Sequence, residues 1–344
     1  MLEISGDYLE GGGQILRTAI GLSALTGISC RIVNIRKNRP KQGLAAQHTT
    51  GIKAVAQICN AELHGAETGS TEVEFIPKKI IPGDYSFDVG TAGSVTLVLQ
   101  ALLIPSIGSG KKFSFSIKGG TDVSWSPTTT YMSSVCCRLL AKIDAEISLE
   151  TSMHGFYPKG GGIVVAQVGE SRPAPLTLIE RIGEPVLDCL SIASDFLRES
   201  NVAERQLASA KQLFPNMSGG TSYVKSLSPG SAITMHAHYD NCILGAGCIG
   251  ERGKRAEDVG AEAAKLLKKQ LASKACIDEW MSDQILPYLA MAAEKGPSTI
   301  SVAETTRHAI TNIWVIEKFL PVKFSVKGKE GEPGIISVEK DQDK

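Results

Sequence analysis

The sequence predicts an α/β (α+β) protein in which one β-α-β-α-β-β order recurs three times, with a small α/β segment inserted in the third copy. Three observations carry this expectation. Apolar residues alternate at period two in some segments and recur at helical spacing in others, in a repeating order. Glycine-rich breaks punctuate the joins. The strand that should open the third copy lies far upstream of the rest of it, which an insertion explains.

The first copy opens with a strand at Leu2–Ile4. A glycine break and a helix from Gln14 to Leu25 follow, then a strand at Cys30–Ile35, a helix from about Ala45 to Asn60, a strand near Leu63 and the alternating Val73 and Phe75. The second copy runs through strand Tyr85–Val89, helix Ser94–Ile104, strand Phe113–Ile117, helix Thr129–Ile143, and strands Ile147–Leu149 and Ile163–Val168. The third comprises helix Asp278–Lys295, strand Thr299–Val302, helix Thr306–Leu320, and strands Lys323–Val326 and Ile335–Val338. Its opening strand falls at Leu176–Ile179. Residues 1–180 and 276–340 would then form a large domain of three repeats (about 1–80, 81–170, and 171–180 plus 276–340). Residues 181–275 would form the small inserted domain, with helices Val202–Phe214 and Arg255–Ala272 flanking a hairpin of Ser222–Ser226 and Ala232–His238.

The 344 residues balance 36 basic against 36 acidic side chains, so no global field draws the chain to a polyanion, and any anion site must be local. The start of the chain has no basic flank or apolar core of a signal peptide, and the expected location is the cytoplasm. The longest apolar stretch, Val95–Ile107, is interrupted by Gln100 and Pro105 and is too short for a bilayer. Eight cysteines form no C-x-x-C pair and read as small core residues in a reducing compartment. Cys242 and Cys248 beside His236 and His238 offer zinc-ligating atoms, but the alternation around them favours a hairpin.

Glu10-Gly11-Gly12-Gly13-Gln14 joins a strand to a helix start, where unpaired N–H groups favour anions and Glu10 could hold a divalent cation against phosphate; a tight turn is the plainer reading. Arg17, Arg36, Lys37, Arg39 and Lys41 are the densest basic group, and four of the five lie in one loop; a solvated charge run is the plainer reading, but the loop leads to Gln47 and His48 at a helix start, where it could clamp phosphates. His308 holds the corresponding place in the third copy; a surface residue or a cap is the plainer reading of a histidine there, but the positive helix end suits a neutral, nucleophilic imidazole. Trp280, Asp283 and Gln284 open the preceding helix, either as an ordinary amphipathic start or as a shelf for a nucleotide. Gln100 interrupts an apolar helix face and needs a partner, from a ligand or from backbone. His154 to Ile163, HGFYPKGGGI, is a tight glycine-rich turn with a basic tip and does not follow the Walker pattern.

His154 to Val164 resembles the signature turn of the RNA 3'-terminal phosphate cyclases, His/Arg-Gly-x-x-Pro-x-Gly-Gly-Gly-x-aliphatic. The similarity extends to Glu10–Arg17, Gln47-His48, Gly90–Gln100, Asp283-Gln284, and His308 with Asn312. The resemblance implies three repeats related to those of enolpyruvyl transferases, with a small inserted domain. It implies that His308 attacks the α-phosphorus of ATP, that AMP passes to an RNA 3'-phosphate, and that the 2'-OH displaces it to leave a 2',3'-cyclic phosphate. It implies Glu10 as the ligand of Mg or Mn. Gln100, Trp280, Met281, Ser282, Asp283 and Gln284 would bind ATP or AMP, and Arg17, Arg36, Arg39, Gln47 and His48 would surround the phosphates and the RNA end. The expected partners are ATP and RNA, with no membrane and with self-association left open. The alternative reading is a non-catalytic cyclase-like protein that binds ribosomal RNA, against which the retention of His308, Glu10, Asp283 and Gln284 speaks. Enolpyruvyl transfer shares only the repeat architecture.

Overall fold

The computed structural model describes residues 1–9 and 11–343 and is a mixed α/β fold with four four-stranded sheets. The first sheet contains β1 (Leu2–Ser5), β2 (Cys30–Val33), β3 (Glu62–His64) and β4 (Val73–Ile76), with helices α1 (Gly13–Thr26) and α2 (Ala46–Ile58) between the early strands. The second contains β5 (Gly83–Asp88), β6 (Phe113–Gly119), β7 (Ile147–Met153) and β8 (Gly162–Val168). Its helices are α3 (Val95–Gly108) and a segment made of α4 (Thr129–Tyr131), a π-helical turn at Met132–Cys136 and α5 (Cys137–Ala141). The third opens with β9 (Thr177–Leu178). The chain then departs through β10 (Val186–Ser194), α6 (Val202–Leu213), β11 (Ser218–Val224), β12 (Ser231–His238), β13 (Ile243–Ile249) and α7 (Ala256–Ala272). It returns with α8 (Met281–Gln284), α9 (Leu286–Ala292), β14 (Ser298–Val302), α10 (Arg307–Phe319), β15 (Val322–Lys327) and β16 (Gly334–Lys340).

Three sheets have one strand order: β1-β2-β4-β3, β5-β6-β8-β7 and β9-β14-β16-β15. In each, the first two strands are parallel and the last strand in sequence inserts antiparallel between the second and third. Parallel pairing needs a crossover, which α1, α3 and the long excursion after β9 supply. The fourth sheet, β11-β10-β12-β13, differs: β10 is its centre, parallel to β11 and antiparallel to β12. The expected hairpin of residues 222–226 and 232–238 is therefore not formed, because β10 lies between those strands, and the hairpin partner of β12 is β13.

The helices of the three like-ordered sheets share one apolar core, in which α3 is buried on almost every side. Its crossing with α1 is close: a Cβ on Gly21 would meet Cβ of Ile104 at 2.8 Å, so glycine is required there. The expected helix Asp278–Lys295 divides into α8 and α9 at Ile285, with Pro287, which has no N–H to donate, in the first turn of α9. The expected helix Thr129–Ile143 is interrupted by the π-helical turn. A second core forms where β10, β12 and β13 meet α6 and α7, and Trp280 and Tyr239 touch both cores.

Asp278 ties these parts together. Its carboxylate accepts from Tyr131 Oη of α4 at 2.5 Å, Gly245 N of β13 at 2.9 Å, and Trp280 N and Met281 N at 3.1 and 2.9 Å. Asp278→Ala would take the acceptor from all four donors, three of them buried, and we expect a loss of roughly 3–5 kcal/mol. Denaturant titration checks this: the unfolding midpoint falls sharply, whereas a midpoint within error of wild type contradicts the role given to this carboxylate.

Candidate active site

Because the first two strands of each like-ordered sheet are parallel, the loops that leave them open on one end of the sheet. These loops include residues 6–9 and 11–12 and residues 34–45 in the first sheet, 89–94 and 120–128 in the second, and 303–306 in the third. The candidate residues gather at and below this end.

His308 stands in the first turn of α10, whose cap Thr306 accepts from Ala309 N at 3.0 Å. Its Nδ1 lies 2.5 Å from Gln14 Oε1 of α1. The orientation of the Gln14 amide is fixed by its other end, where Nε2 donates to Asp283 Oδ2 and, at 3.0 Å, to the carbonyl of His308. The amide oxygen must then be the group facing Nδ1, so Nδ1 carries the proton and Nε2 keeps its lone pair. Asn312, one turn further along α10, accepts from Thr18 Oγ1 at 2.6 Å and donates to the Asp283 carbonyl at 2.7 Å. The starts of α1, α8 and α10 are thus cross-linked by side-chain amides, and no rotamer of His308 is set in isolation.

Beneath this network lies a cleft lined by Gln14, Arg17, Gln100, Asp283, Gln284 and Asn312 among others. Arg17 also lines a neighbouring cleft with Gln47 and His48. Burial lowers the Arg17 guanidinium to about 10, with the Asp283 carboxylate acting in the opposite direction, so Arg17 stays cationic at neutral pH. Burial, and then the charges of Arg17 and Arg36, lower His48 to about 3, so this imidazole is neutral. Its Nδ1 accepts from Ala45 N at 3.1 Å, which places the proton on Nε2. In that tautomer His48 offers a donor to an anion and lacks the outward lone pair of a nucleophile. Its Nε2 lies against Gly13, where a Cβ would sit 2.2 Å away. Gly13→Ala should therefore displace His48 and lower activity on substrate by roughly 10-fold or more, as a misplaced positioning group does; unchanged kcat/KM would show that His48 has room to move.

Gln47 Oε1 accepts from Ser94 N at 2.9 Å and so joins α2 to the cap of α3. Arg36 donates to the Gly43 carbonyl at 3.0 Å, and its pKa is lowered by burial and then by the charge of Arg39. Arg39 closes on His308: one point beside Gly12 lies 3.5 Å from Arg39 Nη2 and 3.8 Å from His308 Cε1. Gln100 donates to Gln284 Oε1 at 2.7 Å, and Gln284 donates to the Trp280 carbonyl at 2.6 Å. The partner that Gln100 needs is a side chain on α8, neither of the two alternatives that its sequence position raised. Trp280 meets Tyr131 edge-on, while Met281 and Ser282 have no exposed surface and only brace the site from behind. Ser282 Oγ donates to the Glu279 carbonyl and shares a hydrogen bond with Thr306 at the cap of α10. Glu10 lies outside the described residues. Gln14, Thr18 and Asn312 are the members of this network to which sequence reasoning gave no role.

The glycine-rich turn at residues 154–162 borders the same end. His154 Nδ1 lies 3.0 Å from the buried Asp122 Oδ2, and Gly155 N donates to Thr121 Oγ1 at 3.0 Å. Farther away, His236 and His238 meet Asp188 rather than the two cysteines, at 2.7 and 2.6 Å, with ligating atoms within 4.8 Å of one another. Cys242 and Cys248 turn into the two cores. Arg138 Nη1 lies 3.3 Å from His238 Nδ1, which must accept from the guanidinium, so in His238 it is Nε2–H that faces Asp188.

The family model for RNA 3'-terminal phosphate cyclase matches residues 8–326. Proteins named RNA 3'-terminal phosphate cyclase from Methanopyrus kandleri and Pyrococcus furiosus are each 44% identical to this chain, over 98% of it and 98% of their own length. One of the same name from Archaeoglobus fulgidus is 43% identical over 93% of this chain and 96% of its own. With the family match spanning nearly the whole sequence and relatives aligned end to end, the chain belongs to the RNA 3'-terminal phosphate cyclase family.

Proposed function

We propose that this protein is an ATP-dependent enzyme that converts an RNA 3'-terminal phosphate into a 2',3'-cyclic phosphodiester, with His308 as its nucleophile. The observation that carries the reading is the Gln14 amide held against His308 Nδ1, which leaves Nε2 as the basic nitrogen. In the first step Nε2 attacks the α-phosphorus of ATP, the bond to the bridging oxygen breaks, and pyrophosphate leaves. In the second, an oxygen of the RNA 3'-phosphate displaces His308 from AMP, giving RNA(3')pp(5')A. In the third, the adjacent 2'-OH attacks the 3'-phosphorus, loses its proton and expels AMP. Adenylylation matters because a phosphate dianion is a poor electrophile until it carries AMP as a leaving group.

This chain's residues would contribute positioning and charge neutralisation. Arg17 and Arg39 are placed to meet phosphate oxygens, with neutral His48 as a donor and with Arg36 and Gln47 behind them. Gln100, Asp283 and Gln284 line the cleft proposed for ATP, with Trp280, Met281 and Ser282 supporting it. A divalent cation, Mg or Mn, would supply charge neutralisation on the triphosphate. Glu10 is the residue proposed for it, and Asp283 is the described carboxylate beside His308. In the same reading, residues 1–180 and 276–340 form the catalytic domain, residues 181–275 form the inserted domain, and the enzyme works in the cytoplasm. The described residues contain no helix long and apolar enough to cross a membrane.

The test is conversion of a 3'-phosphorylated oligoribonucleotide, with ATP and Mg or Mn, into a phosphatase-resistant product with one AMP and one pyrophosphate released per end. An RNA that keeps its phosphatase-sensitive end overturns the reading and favours the non-catalytic RNA-binding alternative. Arg39→Ala should lower use of the RNA end by roughly 10- to 100-fold, on the scale of a charge-assisted contact, with a smaller effect on self-adenylylation. Equal losses in both steps would contradict a role for Arg39 at the RNA phosphate.

A further inference from the structure

We propose that Trp125 and Tyr157 form a stacking platform for the single-stranded RNA that leads to the reacting 3' end, so that nucleotides upstream of the terminal phosphate are held by the protein. The inference rests on the reading of the substrate as RNA. Trp125 is 97% exposed and its backbone has φ +66°, a region that bulky residues rarely enter. Tyr157 is 76% exposed and Leu227 51%. No core contact accounts for these rings left in water, and they stand on loops that are tied to one another.

Hydrogen bonds hold their loops together. Asp122 grips His154 at 3.0 Å, which joins the loop of Trp125 to the turn of Tyr157. Lys159 N donates to Ser228 Oγ at 3.2 Å, which brings in the loop of Leu227. Ser124 Oγ donates to Glu251 at 3.1 Å, which brings in the loop of Arg252. The group is continuous with the candidate active site. Gly160 lies so close to Ala92 that a Cβ would stand 2.8 Å from its Cα, and two residues on, Ser94 N bonds to Gln47 beside His48. Trp125 also holds a telling position in the fold: it stands in the loop after β6, and the corresponding loops after β2 and β14 carry Arg39 and lead to His308.

The occupant that fits is a single RNA strand. Lys159, Lys225 and Arg252 are exposed on these same loops in a chain whose formal charge is zero, so the basic character is local. Cations that follow a backbone, with aromatic faces for its bases, are the recurring design of single-strand binding, and they tolerate any sequence because every base has a π-face.

The experiment measures fluorescence anisotropy of 5'-labelled, 3'-phosphorylated oligoribonucleotides of about three and about twelve nucleotides, lengths that bracket a single-strand site, without ATP. Wild type should bind the longer RNA more tightly. Trp125→Ala and Tyr157→Ala should each weaken that binding by about 10-fold and leave the short RNA and labelling of the protein by ATP unchanged. Trp125→Phe should restore most of the loss. Equal wild-type affinity for both lengths, equal losses at both, or no loss at either overturns the proposal and assigns these rings to another class of partner. Because binding is read without turnover, a wild-type protein that takes no AMP would sink the cyclase reading without deciding this one.

Discussion

His308→Ala is expected to abolish transfer of AMP from ATP to the protein, and with it cyclisation of 3'-phosphorylated RNA, by at least ~10⁴-fold, the scale seen when a covalent nucleophile is removed. No other described side chain at the site is placed to substitute. His48 is the nearest alternative by residue type, but its Nδ1 is occupied by Ala45 N and its Nε2 carries the proton. The loss should be confined to the first step. The last step needs the 2'-OH and a leaving AMP and makes no use of His308, so His308→Ala should still close the ring on RNA supplied as RNA(3')pp(5')A. Thin-layer or mass analysis of that reaction separates the cases. A variant dead with ATP and active with adenylylated RNA is the expected result; a variant that retains label from ATP moves the nucleophile elsewhere.

Gln14→Ala should be the next most damaging change, lowering the single-turnover rate of adenylylation by roughly 10²- to 10⁴-fold, the range for losing control of a histidine tautomer. Three contacts of Gln14 are lost at once: those to His308 Nδ1, to the His308 carbonyl and to the Asp283 carboxylate. With no acceptor opposite Nδ1, the imidazole proton is free to move to Nε2, where it blocks attack. Because Gln14 makes these contacts within the protein, KM for ATP should change less than kcat. Gln14→Glu is an informative companion: it keeps an acceptor for Nδ1 but sets a second carboxylate against Asp283, so it too should be impaired. A Gln14→Ala protein with the wild-type rate would show that His308 is oriented by something else.

Local pattern made the three-fold order of elements legible, because each helix or strand writes its own period into the sequence. What stayed hidden depended on residues far apart. That β4, β8 and β16 each insert between the other strands of their sheets is a matter of pairing between distant segments, to which no single segment testifies. β10 escaped notice because its second half is buried on both faces, from Ser191 to Ser194, while Cys189 packs beside Leu207 of α6, so the simple alternation is lost. The split between α8 and α9 was readable in principle from Pro287. In the site, the basic loop and His308 stood out by type. Gln14 did not, although Gln14, Arg17 and Thr18 form a polar stripe at helical spacing on a helix otherwise buried. Its meaning lies in His308, 294 residues away. Gln100 announced itself as an amide on an apolar helix, but its partner Gln284 is 184 residues distant.

The central claim is covalent catalysis by one nitrogen of His308. Incubating the protein with α-labelled ATP and Mg or Mn, quenching in alkali, digesting and mapping the label by mass spectrometry tests it directly. The account predicts a single acid-labile, alkali-stable AMP on the peptide containing His308, joined through Nε2, and lost on addition of 3'-phosphorylated RNA. A wild-type protein that acquires no AMP, or acquires it on another residue, contradicts the account.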